Sequence, residues 1–173
     1  MELGQATIRL SELRDAAQLI EIDKLVWNSE TTPAVLQPVT REGFLQLNPP
    51  GSQLVADMEG IVCGYLGFLC PTPLQSNDHV YEINIAVHPS YQRLGIGRAL
   101  MDGMKQYAAL QGKRKLSLRV LATNEKALEF YRSCGFIEQG RLVEEFYLNG
   151  RYVDDILLWY PVSQLKSGER PEF

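Results

Sequence analysis

Glu82-Ile83-Asn84-Ile85-Ala86-Val87-His88-Pro89-Ser90-Tyr91-Gln92-Arg93-Leu94-Gly95-Ile96-Gly97-Arg98-Ala99-Leu100 is the stretch of this chain on which the reading turns. Its first part has the β-rich composition of a strand. Its second part opens a helix over Gly95 to Leu110 in which Ile96, Leu100, Met104 and Tyr107/Ala108 fall on one face. Between them lies a turn carrying Gly95 and Gly97. A strand that feeds such a turn aims several unbonded backbone N–H groups at one point, where the helix dipole also favours negative charge. Arg93 and Arg98 add cationic charge, so the turn suits a phosphate or pyrophosphate. Two rival phosphate motifs fail on the letters. A dinucleotide-binding GxGxxG needs glycine where Leu100 stands, and a Walker loop needs Lys-Ser/Thr where Arg98-Ala99 follow Gly97. The plainer view is that the two glycines merely loosen the start of a packed helix. The preceding strand, Gln92 and the arginines favour the anion site.

On either side of this stretch the chain reads as alternating elements. Upstream come a strand at Thr7 to Leu10, a helix within Glu12 to Trp27, a short helix capped by Thr40, and a hairpin of Gln53 to Asp57 with Ile61 to Leu69. Pro33 to Pro38 is irregular and could line a cleft. The quoted strand itself spans Val80 to Val87. Downstream, Leu116 to Ala122 alternates as a strand, and Asn124 caps a helix over Glu125 to Ser133 that Gly135 ends. Phe136 to Leu148 and Tyr152 to Tyr160 then flank Asn149-Gly150, a pair typical of tight hairpin turns. Antiparallel hairpins joined to two β-α-β stretches predict a mixed α/β (α+β) sheet. The 173 residues suffice for one domain, with a core from about residue 6 to 162 and a loose polar tail at 167–173.

Composition narrows the function classes. Apolar residues make up 45% and charged residues 22%, as in ordinary globular proteins. The longest apolar run, Ile61 to Cys70, is broken by Gly64 and Gly67 and falls short of the roughly twenty residues of a membrane span. No basic, apolar leader opens the sequence, so a cytoplasmic location is expected, with no membrane partner. A net charge of -4 disfavours nonspecific nucleic-acid binding. Cys63, Cys70 and Cys134 show no CxxC spacing, and His79 and His88 form no ligand pattern with them, so no metal is expected. Cys63 and Cys70, in an apolar strand, read as small buried hydrophobes.

The motif Gln92-x-x-Gly95-x-Gly97-x-Ala99 after Ile85-Ala86-Val87-His88-Pro89 resembles the acyl-CoA pyrophosphate loop of the GNAT superfamily of N-acetyltransferases. A second segment, Asn124-x-x-Ala127-x-x-Phe130-Tyr131-x-x-x-Gly135-Phe136, resembles that family's other signature. The resemblance implies helices on both faces of a mostly antiparallel sheet that splays between its two central parallel strands, Val80 to Val87 and Leu116 to Ala122. It implies acetyl-CoA as co-substrate and an amine acceptor as partner. The arm of acetyl-CoA would lie in the gap, held by the backbone of Ile85 and Val87 with Ala86 between them. A backbone N–H near Ile85 would polarise the thioester carbonyl. Gln92, Arg93, Leu94, Gly95, Ile96, Gly97, Arg98 and Ala99 would wrap the pyrophosphate.

The same resemblance gives Tyr131 the role of general acid toward the departing sulfur, and lets Asn124 touch the pantetheine region while capping its helix. Packing on the core beside Phe130 is the bland alternative for Tyr131. Glu82, Asn84 and Ala86 share one face of the strand, which makes Glu82 the leading base unless it sits at an exposed strand end. Trp27, with Asn28 and Glu30, and Asn84 and Tyr147 are assigned to the acceptor pocket. Glu144, Glu145, Asp154 and Asp155 on the terminal hairpin would suit a cationic amine, or would simply form its solvated face. Terminal strands in this fold often build dimers, so a homodimer is open. A noncatalytic acyl-CoA-binding module or sensor, or an interaction domain without a ligand, remains the alternative to an N-acetyltransferase.

Overall fold

The computed structural model describes residues 6–34 and 37–163. β1 (Thr7–Leu10) leads through a 3-10 turn at Leu13–Asp15 into α1 (Ala16–Val26), and α2 (Arg41–Leu47) follows. The Thr40 hydroxyl accepts from the Gly43 amide and so starts α2 as the sequence predicts. β2 (Gln53–Met58) and β3 (Ile61–Leu69) form a hairpin, β4 (Val80–Val87) runs toward α3 (Ile96–Leu110), and β5 (Lys115–Leu121) toward α4 (Glu125–Ser133). β6 (Ile137–Leu148) and β7 (Arg151–Pro161) come last, joined through Asn149 and Gly150 at φ 50° and 79°. The tail at 167–173 and part of the irregular Pro33 to Pro38 stretch lie outside the described residues.

All seven strands join one sheet in the order β1-β2-β3-β4-β5-β7-β6. Neighbours are antiparallel except β4 and β5, which are parallel. Ala16, Leu19 and Ile22 of α1 and Phe44 of α2 pack on Val55, Val62, Tyr65 and Ala86 on one face. On the other face, Ile96, Leu100, Met101, Met104 and Ala108 of α3, with Leu128 and Tyr131 of α4, pack on Leu66, Ile83, Leu116 and Leu118. The helical face read from the sequence of α3 is therefore the buried one. Arg9 crosses the sheet edge to bond Asp15 at 2.7 Å and Asp57 at 2.8 Å, neutralising a carboxylate buried at the entry to α1.

The β4–β5 ladder is short. It pairs Val80 with Lys115, Tyr81 with Leu116 and Glu82 with Ser117, and then stops. β4 nonetheless stays on β3 as far as Val87↔Gly64, and β5 stays on β7 as far as Leu121↔Asp155. Each strand keeps its outer partner, and the sheet twist carries the two apart. A V-shaped gap opens from its apex at Glu82 and Ser117.

One detail of the fold differs from the expectations. Cys63 is buried, but Cys70 lies just past the end of β3 and is exposed, because the apolar run ends at Leu69. β4 runs against β3 without a register shift, whereas β6 shifts against β7 between Glu138 and Gly140 and again between Leu142 and Phe146, where Glu144 takes φ 52°.

Candidate active site

The gap is a cleft of about 600 Å³ running from the inner edge of β4 to the start of α3 and the wall of α4. Which backbone groups face it follows from strand parity. The His88 amide donates to the Cys63 carbonyl of β3 at 2.9 Å, so even-numbered residues of β4 turn their amides and carbonyls toward β3. Those of Ile83, Ile85 and Val87 turn the other way; the Ile83 amide closes the last rung on Ser117 of β5, and from the Ile83 carbonyl through Ile85 to Val87 the edge faces a gap that β5 does not answer. The Val87 carbonyl takes one bond from the Gln92 side chain at 3.3 Å. An extended chain bearing amides can complete this edge as a strand would.

At the mouth, Arg93 and Gly95 both adopt left-handed φ, 63° and 81°. A Cβ at Gly95 would meet nothing, so its glycine serves the backbone angle; one at Gly97 would stand 3.3 Å from the Phe130 ring, so its glycine lets α3 close on α4. The first helical bond is Ala99 N–H to the Gly95 carbonyl at 3.0 Å. The amides of Ile96, Gly97 and Arg98 precede it and carry the positive end of the dipole. Charged residues in the cleft wall are Arg93, Arg98, Lys126 and Arg119, all cationic. Arg98 is tied to α4, donating to the Ser133 carbonyl at 3.1 Å and to its hydroxyl at 3.0 Å. The mouth thus fits a pyrophosphate: open amides, a dipole and cations.

Deeper in, Asn124 caps α4 by accepting from the Ala127 amide at 3.2 Å while lining the cleft. Tyr131 is 7% exposed and packs against Phe130 and Phe136 with ring centroids 5.4 and 5.7 Å away, yet it also forms part of the cleft wall. Tyr131 is thus a core residue that also reaches the cleft. Burial, reinforced by Cys134, pushes its phenol well above the usual range. It stays protonated, as a proton donor must.

The opposite face of the gap, under α1, is built from Trp27 and Thr31 with Asn84 of β4 and Arg119 of β5. Trp27 is held from behind: its Nε1 donates to Asp23 Oδ1 at 3.1 Å and to the Tyr65 hydroxyl at 2.9 Å, and that hydroxyl in turn donates to Asp23. Burial lifts the Asp23 carboxyl above its ordinary value despite those two donors, and burial with the neighbouring Asp23 charge lifts Tyr65. Asn84 Oδ1 accepts from the Gly67 amide at 3.2 Å.

Of the residues read from the sequence, Ile85, Ala86, Val87, Gln92, Arg93, Gly95, Ile96, Gly97, Arg98, Asn124, Tyr131, Trp27 and Asn84 all line this one cleft. Six others stand apart from its wall, among them Asn28 and Glu30, whose polar groups are bonded within the turn that follows α1. Glu82 is half-buried at the apex, the last residue still paired with β5. Leu94 turns its side chain to solvent, and the Ala99 amide is spent on the first helical bond. Tyr147, on β6, is 65% exposed and sets its ring against that of Tyr152 on β7, because β6 is the edge strand and β7 and β5 stand between it and the gap. The acids of that hairpin do not form a mouth: Asp154 accepts from Arg141 and the Glu144 amide, and Asp155 is buried beneath Arg119. Lys126 and Arg119 were not singled out. Lys126 sits inside the second motif, and alternation with buried Leu118 and Val120 would have put Arg119 on the opposite face.

Fold and cleft together define an acyl-CoA N-acyltransferase. A model described as the acetyltransferase (GNAT) family matches residues 14–136, and the chain belongs to that family. The L-amino acid N-acyltransferase MnaT of Escherichia coli K12 is 26% identical over 173 residues, 96% of each chain. Spermidine N(1)-acetyltransferase of Vibrio cholerae is 40% identical over 74 residues, a match spanning 42% of this chain and 43% of that enzyme. Among solved structures, smu.2055 from Streptococcus mutans UA159 superposes with a TM-score of 0.84 at 29% identity, covering 91% of this chain and 99% of its own. Among the described residues no helix is long and apolar enough to cross a membrane.

Proposed function

We propose that this protein transfers the acetyl group of acetyl-CoA directly to a primary amine within a ternary complex in the cytoplasm. One observation carries the reading: the β4–β5 ladder stops at Glu82↔Ser117, so unpaired backbone of β4 leads from that apex to the free amides of α3. The pyrophosphate is held by the amides of Ile96, Gly97 and Arg98 with Arg93 and Lys126, and the pantetheine amides complete the edge of Ile83, Ile85 and Val87. The Ile85 N–H receives the thioester oxygen and steadies the charge that gathers there during attack. The neutral amine approaches from the Trp27 and Asn84 side. Its nitrogen bonds to the thioester carbon as the carbon–sulfur bond breaks, and the departing sulfur takes the Tyr131 proton. The excess proton on nitrogen leaves through water to Glu82, which shares the face of Asn84 at the apex.

Thiol release from acetyl-CoA across a panel of amines tests this, with calorimetry reporting acetyl-CoA binding alongside. Acetyl-dependent turnover with at least one amine is expected. Binding without transfer to any amine, peptide or protein would make the chain an acyl-CoA-binding module instead.

A further inference from the structure

We infer that the acceptor carries a carboxylate beside its amine, and that Arg119 receives it; this rests on the acetyl-transfer reading above. β5 places Leu118 and Val120 in the core under α3 and α4, so Arg119 points to the other face, where Trp27 and Asn84 stand. It is the only charged residue on that side of the cleft wall among the described residues. Its guanidinium is anchored by one edge: Nε donates to Asp155 Oδ2 at 2.5 Å, and that carboxylate is 2% exposed. Glu145 lies 3.7 Å from Nη2, too far for a hydrogen bond, and among the described residues no acceptor binds Nη1. The side chain as a whole keeps 44% of its surface open. A planar fork fixed at one edge with its outer N–H groups unspent is the geometry that takes a carboxylate through two parallel bonds.

The charge balance points the same way. Among the described residues no carboxylate lines the cleft, and Asp154 and Asp155 of the hairpin are taken up by Arg141, the Glu144 amide and Arg119. A polyamine would meet a cation with nothing to hold its second charge. An amino acid would place its carboxylate on Arg119, its amine toward the thioester and its side chain against Trp27. Glu145 then acts as a weak rival for Nη2 that the guest displaces.

The test compares kcat/KM for L-methionine, L-methioninamide and spermidine in the wild type, Arg119→Gln, Arg119→Lys and Glu145→Gln. Differences in intrinsic amine reactivity cancel when the methionine-to-amide ratio is followed across variants. Arg119→Gln is expected to lower that ratio roughly 10- to 100-fold, Arg119→Lys to restore part of it, and Glu145→Gln to raise it about threefold. Equal losses for methionine and its amide, no response to Glu145→Gln, or a wild-type preference for spermidine would overturn the inference while leaving acetyl transfer intact. If no amine releases thiol, the transfer reading fails. The carboxylate site is then judged by the affinity of N-acetylmethionine for the CoA-loaded protein, which Arg119→Gln must weaken at least tenfold.

Discussion

The two ends of β4 obey different rules. At Val80 to Glu82 the strand has partners on both edges, β3 on one side and β5 on the other. Beyond the last rung, from the Ile83 carbonyl to Val87, it keeps only β3, and the inner edge is left as a row of amides and carbonyls that no strand answers, with the Val87 carbonyl taking one bond from the Gln92 side chain. Both ends are flanked by the same helices, and both contribute apolar side chains to the α3 face. What separates a structural strand from a binding edge here is the presence of a neighbour, not side-chain chemistry.

Perturbations at the open end should strike function, and those at the closed end should not. The largest effect is expected from Tyr131→Phe, which removes the proton without emptying the space: kcat should fall about 10²- to 10³-fold with acetyl-CoA affinity unchanged by calorimetry. An unaltered kcat would remove Tyr131 from the acid role. Because burial raises the phenol pKa, its acid form persists above the ordinary value of 10.0. The acceptor amine must meanwhile lose a proton to attack. kcat/KM should therefore climb from pH 6 with no downturn by pH 10, and a fall below that point would mean another group supplies the proton.

Gly95→Val comes next, since a branched side chain at φ 81° strains the loop that aims the amides. A loss of acetyl-CoA affinity of about tenfold should appear in the same titration. Arg93→Ala should cost a few-fold, a single solvent-exposed charge on a phosphate being worth about 0.5–1 kcal/mol. At the closed end, Lys115→Met exchanges a bond to Gln139 and should alter affinity less than twofold. A comparable loss there would erase the contrast between the ends.

Much of this was legible because local chemistry and fold agree. β1, β3, β4 and α4 have the expected bounds, the Thr40 and Asn124 caps close the bonds their residue types favour, and Asn149-Gly150 makes its turn. The glycine turn marks the mouth of the cleft in the sequence itself. Its floor and far wall were less visible. The point where β4 and β5 part is a matter of pairing, which no single strand encodes, so Glu82 could not be placed at an apex from its own neighbours. Tyr147 lies on the strand that the chain places last but one, and only the sheet order, with β7 inserted between β5 and β6, shows that this strand is the one far from the gap. The Asp23, Tyr65 and Trp27 cluster joins residues far apart in the chain, and only packing of α1 on β3 assembles it.

Gly67 belongs to β3 and faces no part of the cleft, yet it governs one of the cleft's polar atoms. A methyl group there would fall 2.5 Å from Asn84 Oδ1, far inside van der Waals contact, so Gly67→Ala would evict the amide from its resting place across the strand. The evicted side chain would have to find new room in the wall it lines. A change of one carbon on a neighbouring strand is thus a remote dial on the dimensions of the cleft, turned without editing any residue that lines it.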